Sequence, residues 1–255
     1  MKKIIQDSLR YTHKKILQKT FPKKIAIYFH DIYESEIVAI KNLVLYFKSL
    51  GYEFKTINDF ANTFDSDSKI VSLTFDDGFK NWIKLMPIFE KNDVRATFYL
   101  NSIFFTSEDL TRFLKNINLS DKSRLIDKDG LSKLVANGHE IGAHTHTHFT
   151  ISKLSLNDLV LEDKTNFEYL SKFYDIRSFA IPYGMRRYVK KDQLEFLQNK
   201  YSTICFGEAG MQYNQTKSFI QRHPWKSDRS FIYNLENLST DTSYFNNVTL
   251  RSGLG

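Results

Sequence analysis

The chain has one cysteine, Cys205, in 255 residues, so neither an intrachain disulfide framework nor a cysteine-based zinc site can be built. Proline (4) and glycine (10) are scarce, which excludes collagen-like, linker-rich and proline-rich disordered chains. No apolar run approaches the roughly 18 residues that a membrane span needs. The basic N-terminus is followed by neither an apolar stretch nor a small-residue cleavage site, so it does not read as a secretory signal. The expected location is cytoplasmic, which suits the lone cysteine.

Charge of one sign is also missing from most of the chain. Residues 1–24 hold eight Lys or Arg and a single acid, Asp7, which accounts for the whole formal charge of +7. The remainder is neutral, and a basic nucleic-acid-binding body is excluded. Ile5, Leu9, Ile16 and Leu17 fall near one helical face of the arm, flanked by Lys2, Lys3, Lys14 and Lys15. Residues 1–24 are expected to form a basic amphipathic helix. It either docks on the domain or lies on an anionic surface such as the inner membrane face.

What is abundant is aromatic: 22 Phe and 14 Tyr, enough for a large core. Short apolar runs alternate with helical periods from residue 25 onward. Strands are expected at 25–29, 52–56, 70–75, 96–100, 139–143, 177–181, 203–206 and 219–221. Helices are expected at 37–50, 79–91 (bent or ended by Pro87), 127–137, 155–172 and 190–200. Residues 101–126 read as an insertion with one short helix near 107–114. Strand–helix–strand alternation implies a parallel sheet, open and doubly wound or closed as a (β/α) barrel, in a single domain over 25–255. In either case chemistry belongs at the C-terminal strand ends.

Three polar clusters occupy such ends. Thr74-Phe75-Asp76-Asp77-Gly78 places two adjacent acids after a strand. His144-Thr145-His146-Thr147-His148 gathers three of the seven histidines, and His144 and His148 converge if the segment coils through one helical turn. Two imidazoles and a carboxylate with open positions describe a hydrolytic zinc-type site or the facial triad of a non-haem iron oxygenase. Asp76 beside Asp77 favours the hydrolase, because metal-activated water has use for a general base. Phe179-Ala180-Ile181-Pro182-Tyr183-Gly184 forms a rigid turn whose backbone N–H can face an oxyanion.

These motifs, in this order, resemble the NodB-type polysaccharide deacetylases (carbohydrate esterase family 4). Arg95-Ala96-Thr97-Phe98-Tyr99-Leu100 matches their style too, and the resemblance spans roughly residues 25–225. It implies a distorted (β/α) barrel of about seven units. It also implies removal of acetyl groups from N-acetylated sugars, with one divalent metal, zinc first, with cobalt, nickel or iron as further options. Carried over, Asp77, His144 and His148 resemble the metal ligands, Asp76 the general base, and the Tyr183 backbone the oxyanion donor. Many members have an arginine, steadying the base, where this chain has Ala180; Arg222 is the candidate replacement, and Trp225 a candidate sugar-stacking wall.

The usual late catalytic histidine is also missing. Ile27-Tyr28-Phe29-His30-Asp31 resembles instead the circularly permuted exopolysaccharide deacetylases, which makes His30 the general acid and His223 the reserve. The expected substrate is a polysaccharide or a lipid- or nucleotide-linked N-acetylated glycan of cell-surface metabolism. Alternatives are a same-fold hydrolase of a non-sugar amide or cyclic imide, and a glycan-binding module with a vestigial site.

Overall fold

The computed structural model describes residues 20–184, 189–207 and 215–239. The expected N-terminal helix falls almost entirely outside these residues. The described residues form eight strands: β1 (Lys24–Phe29), β2 (Glu53–Phe54), β3 (Ile70–Asp76), β4 (Thr97–Leu100), β5 (Glu140–Ala143), β6 (Ser178–Ala180), β7 (Thr203–Phe206) and β8 (Phe219–Pro224). Every pairing between these strands is parallel. Seven strands, β1 and β3 to β8, close into a barrel because β1 pairs with both β3 and β8. β2 lies only against the start of β3. The barrel is uneven: β1 and β3 pair along their whole length, whereas β5 and β6 meet at the single pair Ala143↔Phe179.

The period of two along each strand sorts residues into two cores. On β3, Val71, Leu73 and Phe75 join the apolar layer under the helices, while Ile70 joins the barrel interior. The outer layer is aromatic. Phe75 stacks on Phe29 at 5.1 Å and on Phe98 at 4.9 Å, and Trp82 packs beside both Phe75 and Phe98. The interior is narrower, as a seven-stranded barrel must be, and is filled by Ala26, Ile70, Tyr99, Ala180, Cys205 and Ile220. The helix Ile57–Asn62 plugs its lower end with Ile57 and Phe60.

Several boundaries differ from the sequence expectation. The segment 79–91 splits at Pro87 into a 3-10 helix, Lys80–Leu85, and an α-helix, Met86–Lys91, with the proline in its first turn, where a missing N–H costs nothing. The insertion carries two short α-helices, Ile103–Thr106 and Thr111–Asn116, and a 3-10 turn, Lys122–Arg124, rather than one helix. The last strand runs on to Pro224, so Arg222 and His223 lie within it and not beyond it. No helix among the described residues is long and apolar enough to cross a membrane.

Candidate active site

The C-terminal ends of the barrel strands surround a cavity of about 470 Å³, lined by all the residues carried over as ligands, base, acid and oxyanion donor. The backbone there is unusual. Asp77, Thr145, His148 and Tyr183 all have positive φ, at 80°, 63°, 54° and 61°. Such angles are costly for side chains with a Cβ and collect at functional sites. Gly78 continues the left-handed turn at φ 81°, and a Cβ there would meet the Phe104 ring at 2.3 Å. The His144–His148 segment therefore brings its imidazoles together by left-handed turns and not by a turn of helix. The Asn101 amide at the end of β4 fixes this path by donating to the carbonyls of His144 (2.5 Å) and Thr145 (3.0 Å).

Asp77, His144 and His148 are buried, and their candidate ligand atoms all lie within 4.8 Å of one another. Asp77 Oδ1 sits 3.4 Å from His144 Nε2 and 3.1 Å from His148 Nε2. His144 Nδ1 lies 2.7 Å from the Ala180 carbonyl, which can only accept, so the proton sits on Nδ1 and Nε2 presents its lone pair. Burial holds His148 down to about 4, so its ring is neutral near pH 7 despite the neighbouring carboxylates. Burial alone would raise Asp77, but His148, His144 and His30 outweigh it and keep the carboxyl well below the usual range. Asp77 Oδ1 nevertheless has no hydrogen-bond donor. A buried carboxylate oxygen without a donor, facing the Nε2 atoms of two imidazoles, is an arrangement that a divalent cation completes, so these residues fit the metal the resemblance implies.

Asp76, next in the chain, is handled in the opposite way. Both its oxygens are taken by Arg222, Nη1 to Oδ1 at 2.7 Å and Nη2 to Oδ2 at 2.8 Å. Nη1 also donates to Thr74 Oγ1, and Nε to the Phe206 carbonyl. The guanidinium is fully buried between the rings of Tyr28 (5.0 Å) and Tyr99 (5.1 Å). Burial works against its charge, but Asp76 prevails and Arg222 stays ionised. β8 thus supplies the cation that Ala180 lacks.

His30 stands at the cavity rim with a half-exposed ring, its Nε2 3.9 Å from Asp77 Oδ2. Its backbone is held by Trp82 Nε1, which donates to the His30 carbonyl at 2.8 Å. Closure of the barrel explains how a first strand serves a site otherwise built from later ones: Ala26 pairs with Arg222. The Tyr183 ring packs on His148 at 4.7 Å, and its N–H meets no backbone acceptor among the described residues.

Two candidates are not brought together with the rest. His223 is buried, held down to about 4 by that burial, and is absent from the cavity wall. Trp225 packs on Phe29 at 5.8 Å and Phe231 at 5.8 Å, under the helix Phe231–Leu238, and also stands outside the wall. His146 points elsewhere, to Ser102 Oγ. Sequence reasoning missed Tyr28, Thr74, Tyr99 and Asn101. Alternation alone puts Thr74 on the face of Asp76 and Tyr28 on that of His30. Nothing in the sequence pairs any of them with Arg222.

The family model described as polysaccharide deacetylase matches residues 64–201, just over half of the chain. That stretch contains Asp76, Asp77, His144, His148 and Tyr183 but neither His30 nor Arg222. A chitin deacetylase from Arthroderma benhamiae is 30% identical over 106 residues, 41% of this chain and 24% of the relative. A chitin deacetylase from Colletotrichum lindemuthianum is 33% identical over 92 residues, 36% of this chain and 32% of the relative. The chain therefore spans about a quarter to a third of these curated relatives. Among solved structures, the Streptococcus pyogenes deacetylase PplD, in complex with acetate, superposes with a TM-score of 0.66 at 17% identity over 86% of this chain and 99% of that one. A de-N-acetylase from Aggregatibacter actinomycetemcomitans gives 0.62 at 14% identity over 83% and 99%. At these identities the likeness is one of fold.

Proposed function

The chain belongs to the polysaccharide deacetylase family, and from that premise we propose that it is a metal-dependent N-deacetylase that hydrolyses the acetamide of an N-acetylated glycan. One observation carries the reading: the buried, donorless Oδ1 of Asp77 between two imidazoles, with an adjacent aspartate held ready by an arginine.

Asp77, His144 and His148 would hold the ion, and their nitrogen and carboxylate donors suit zinc, cobalt, nickel or iron. When bound, such an ion polarises the amide carbonyl and makes water acidic enough to lose a proton near neutral pH. Asp76 is the base that accepts that proton, and Arg222 keeps its carboxylate oriented. The Tyr183 N–H faces the oxygen that becomes negative. His30, exposed enough to exchange protons with solvent, delivers one to the departing amine. The substrate belongs to cell-surface glycan metabolism in this proposal.

The test pairs metal stoichiometry by elemental analysis with acetate release from an N-acetylglucosamine oligomer, for wild type and His144→Ala. About one metal per chain, lost in the variant together with acetate release, is expected. A protein that binds its metal, leaves N-acetylhexosamines intact and opens a cyclic ureide would transfer the reading to the non-sugar amides.

A further inference from the structure

The insertion at 101–126 has no part in the chemistry above, yet it forms one wall of the catalytic cavity through Asn116, Ile117 and Asn118. It is fastened there at both ends. Asn116 Nδ2 donates to the Thr147 carbonyl at 3.2 Å, and the Asn116 carbonyl accepts from Tyr183 Oη at 3.1 Å. Farther on, Arg124 forms an ion pair with Asp31, the neighbour of His30. The wall is therefore anchored to the metal-side loop, the oxyanion-side loop and the acid-side loop.

Elimination then narrows which side chains on this wall a ligand can meet. Of the other described lining residues, Asp76, Asp77, His144, His148, His30 and Arg222 are committed to chemistry or to each other. The Tyr28 hydroxyl is committed to the Gly207 carbonyl at 3.1 Å, and Ile181 is buried. On the opposite side Gly184 and Gly207 offer bare backbone, so close that a Cβ on Gly184 would meet Gly207 Cα at 2.7 Å. What remains open to a ligand on the described cavity wall is the Asn118 side chain, the outer side of Ile117, which otherwise packs on the core, and the exposed half of the Tyr183 ring, whose hydroxyl is held by Asn116. Asn118 is exposed, and its carboxamide has no partner among the described residues. Its φ of 54° fixes the backbone at the tip in a conformation that asparagine tolerates better than most residues.

A group with two donors and an acceptor, beside one aliphatic and one aromatic surface, is matched to a ring with hydroxyls on its edge and C–H bonds on its face. We propose that the tip of the insertion is the sugar-binding wall of this site, with Asn118 reading hydroxyl or acetamido groups of a pyranose and Ile117 and Tyr183 covering its apolar face. The assignment rests on the N-deacetylase reading and adds to it the residues that choose the glycan.

Asn118→Gly keeps the left-handed backbone and deletes only the carboxamide, so it isolates the side chain from the fold. The kinetic arm uses the zinc-loaded protein and an N-acetylglucosamine tetramer. Loss of one neutral hydrogen-bonding group is expected to raise KM about 3- to 10-fold with kcat within about twofold. The binding arm titrates the same tetramer by calorimetry into zinc-loaded Asp76→Asn protein, which leaves the ligand uncleaved, with and without Asn118→Gly. Its Kd is expected to weaken by the same factor. Unchanged KM and Kd would overturn the inference, as would a fall in kcat at constant KM. If wild type releases no acetate but binding still weakens in the Asn118 variant, the activity reading fails while the sugar-binding wall stands. No tetramer binding by the parent protein removes the wall.

Discussion

Glu140 and Asp77 are both fully buried carboxyls, at opposite ends of the same barrel. At the lower end, where the strands begin, Glu140 has donors on both oxygens: Ser178 Oγ to Oε1 at 2.6 Å and the Asn58 N–H to Oε2 at 3.0 Å. Burial raises its pKa against the hydrogen bonds it accepts. At the upper end Asp77 has an oxygen without a donor, a backbone at φ 80° and three imidazoles that together drive its pKa down. The difference separates two uses of a buried polar group. A satisfied carboxyl fastens the plug helix to the barrel, as a structural element should. An unsatisfied, strained one is of the kind that collects at active and ligand-binding sites.

The sharpest way to break this contrast is to remove each carboxylate in turn. Asp77→Ala is expected to abolish stoichiometric metal binding and to lower acetate release by at least about 10³-fold, since a single metal-linked stabilising group is commonly worth that much. Glu140→Ala should keep one metal per chain and normal kcat, and lose about 1–3 kcal/mol of stability from the donors left unpaired. Elemental analysis, kinetics and urea unfolding on the two variants decide it. Metal retained at full occupancy in Asp77→Ala would erase the distinction.

Arg222 tests the boundary between the two uses, because it is buried structure holding the candidate base, Asp76. Arg222→Met leaves Asp76 buried without its cation, which is expected to cost about 3–5 kcal/mol. kcat should fall about 10²- to 10³-fold as the base loses its orientation, while metal occupancy stays near one. Arg222→Lys keeps the charge but not the two parallel bonds, and should fall between wild type and Arg222→Met in kcat. Full activity in Arg222→Met would make the arginine purely structural.

The ends of the barrel were not equally legible in the sequence. The strands were, because parallel strands buried on both faces read as continuous apolar runs, as Ile70–Phe75 does. The cluster of Asp77, His144 and His148 was legible because its members sit within short motifs at strand ends. Arg222 was readable only as a candidate: its partner Asp76 lies 146 residues away, and the link depends on barrel closure and on β8 running to Pro224. That same extension misplaced Trp225 in the sequence reading. A strand ending at 221 leaves Trp225 free in a loop, whereas one ending at 224 delivers it to Phe29 and Phe231, under a helix that the pattern did not reveal. Glu140 gave no signal at all, since a lone acid at a strand start reads as solvated until its donors on 58 and 178 are placed.

The smallest expected effect concerns that acid and sharpens the contrast by its sign. Burial raises Glu140 from an ordinary value of 4.5, so the folded state favours its protonated form. Its contribution to stability is then fully present below that ordinary value and is lost as pH rises through the raised native one. Glu140→Gln mimics the protonated carboxyl at every pH. Wild type and variant should therefore converge in unfolding free energy at the acid end, and wild type should fall below the variant as pH rises. A depressed carboxyl such as Asp77 contributes in the opposite direction and only below its ordinary value of 3.8, so a slope between pH 4 and 8 reports the lower end of the barrel. Urea unfolding of both proteins across pH 4 to 8 reads it, with the window set by the ordinary carboxyl value. A wild type that gains on the variant as pH rises would mean that Glu140 is held as a stabilised anion, and the lower end would then resemble the upper one.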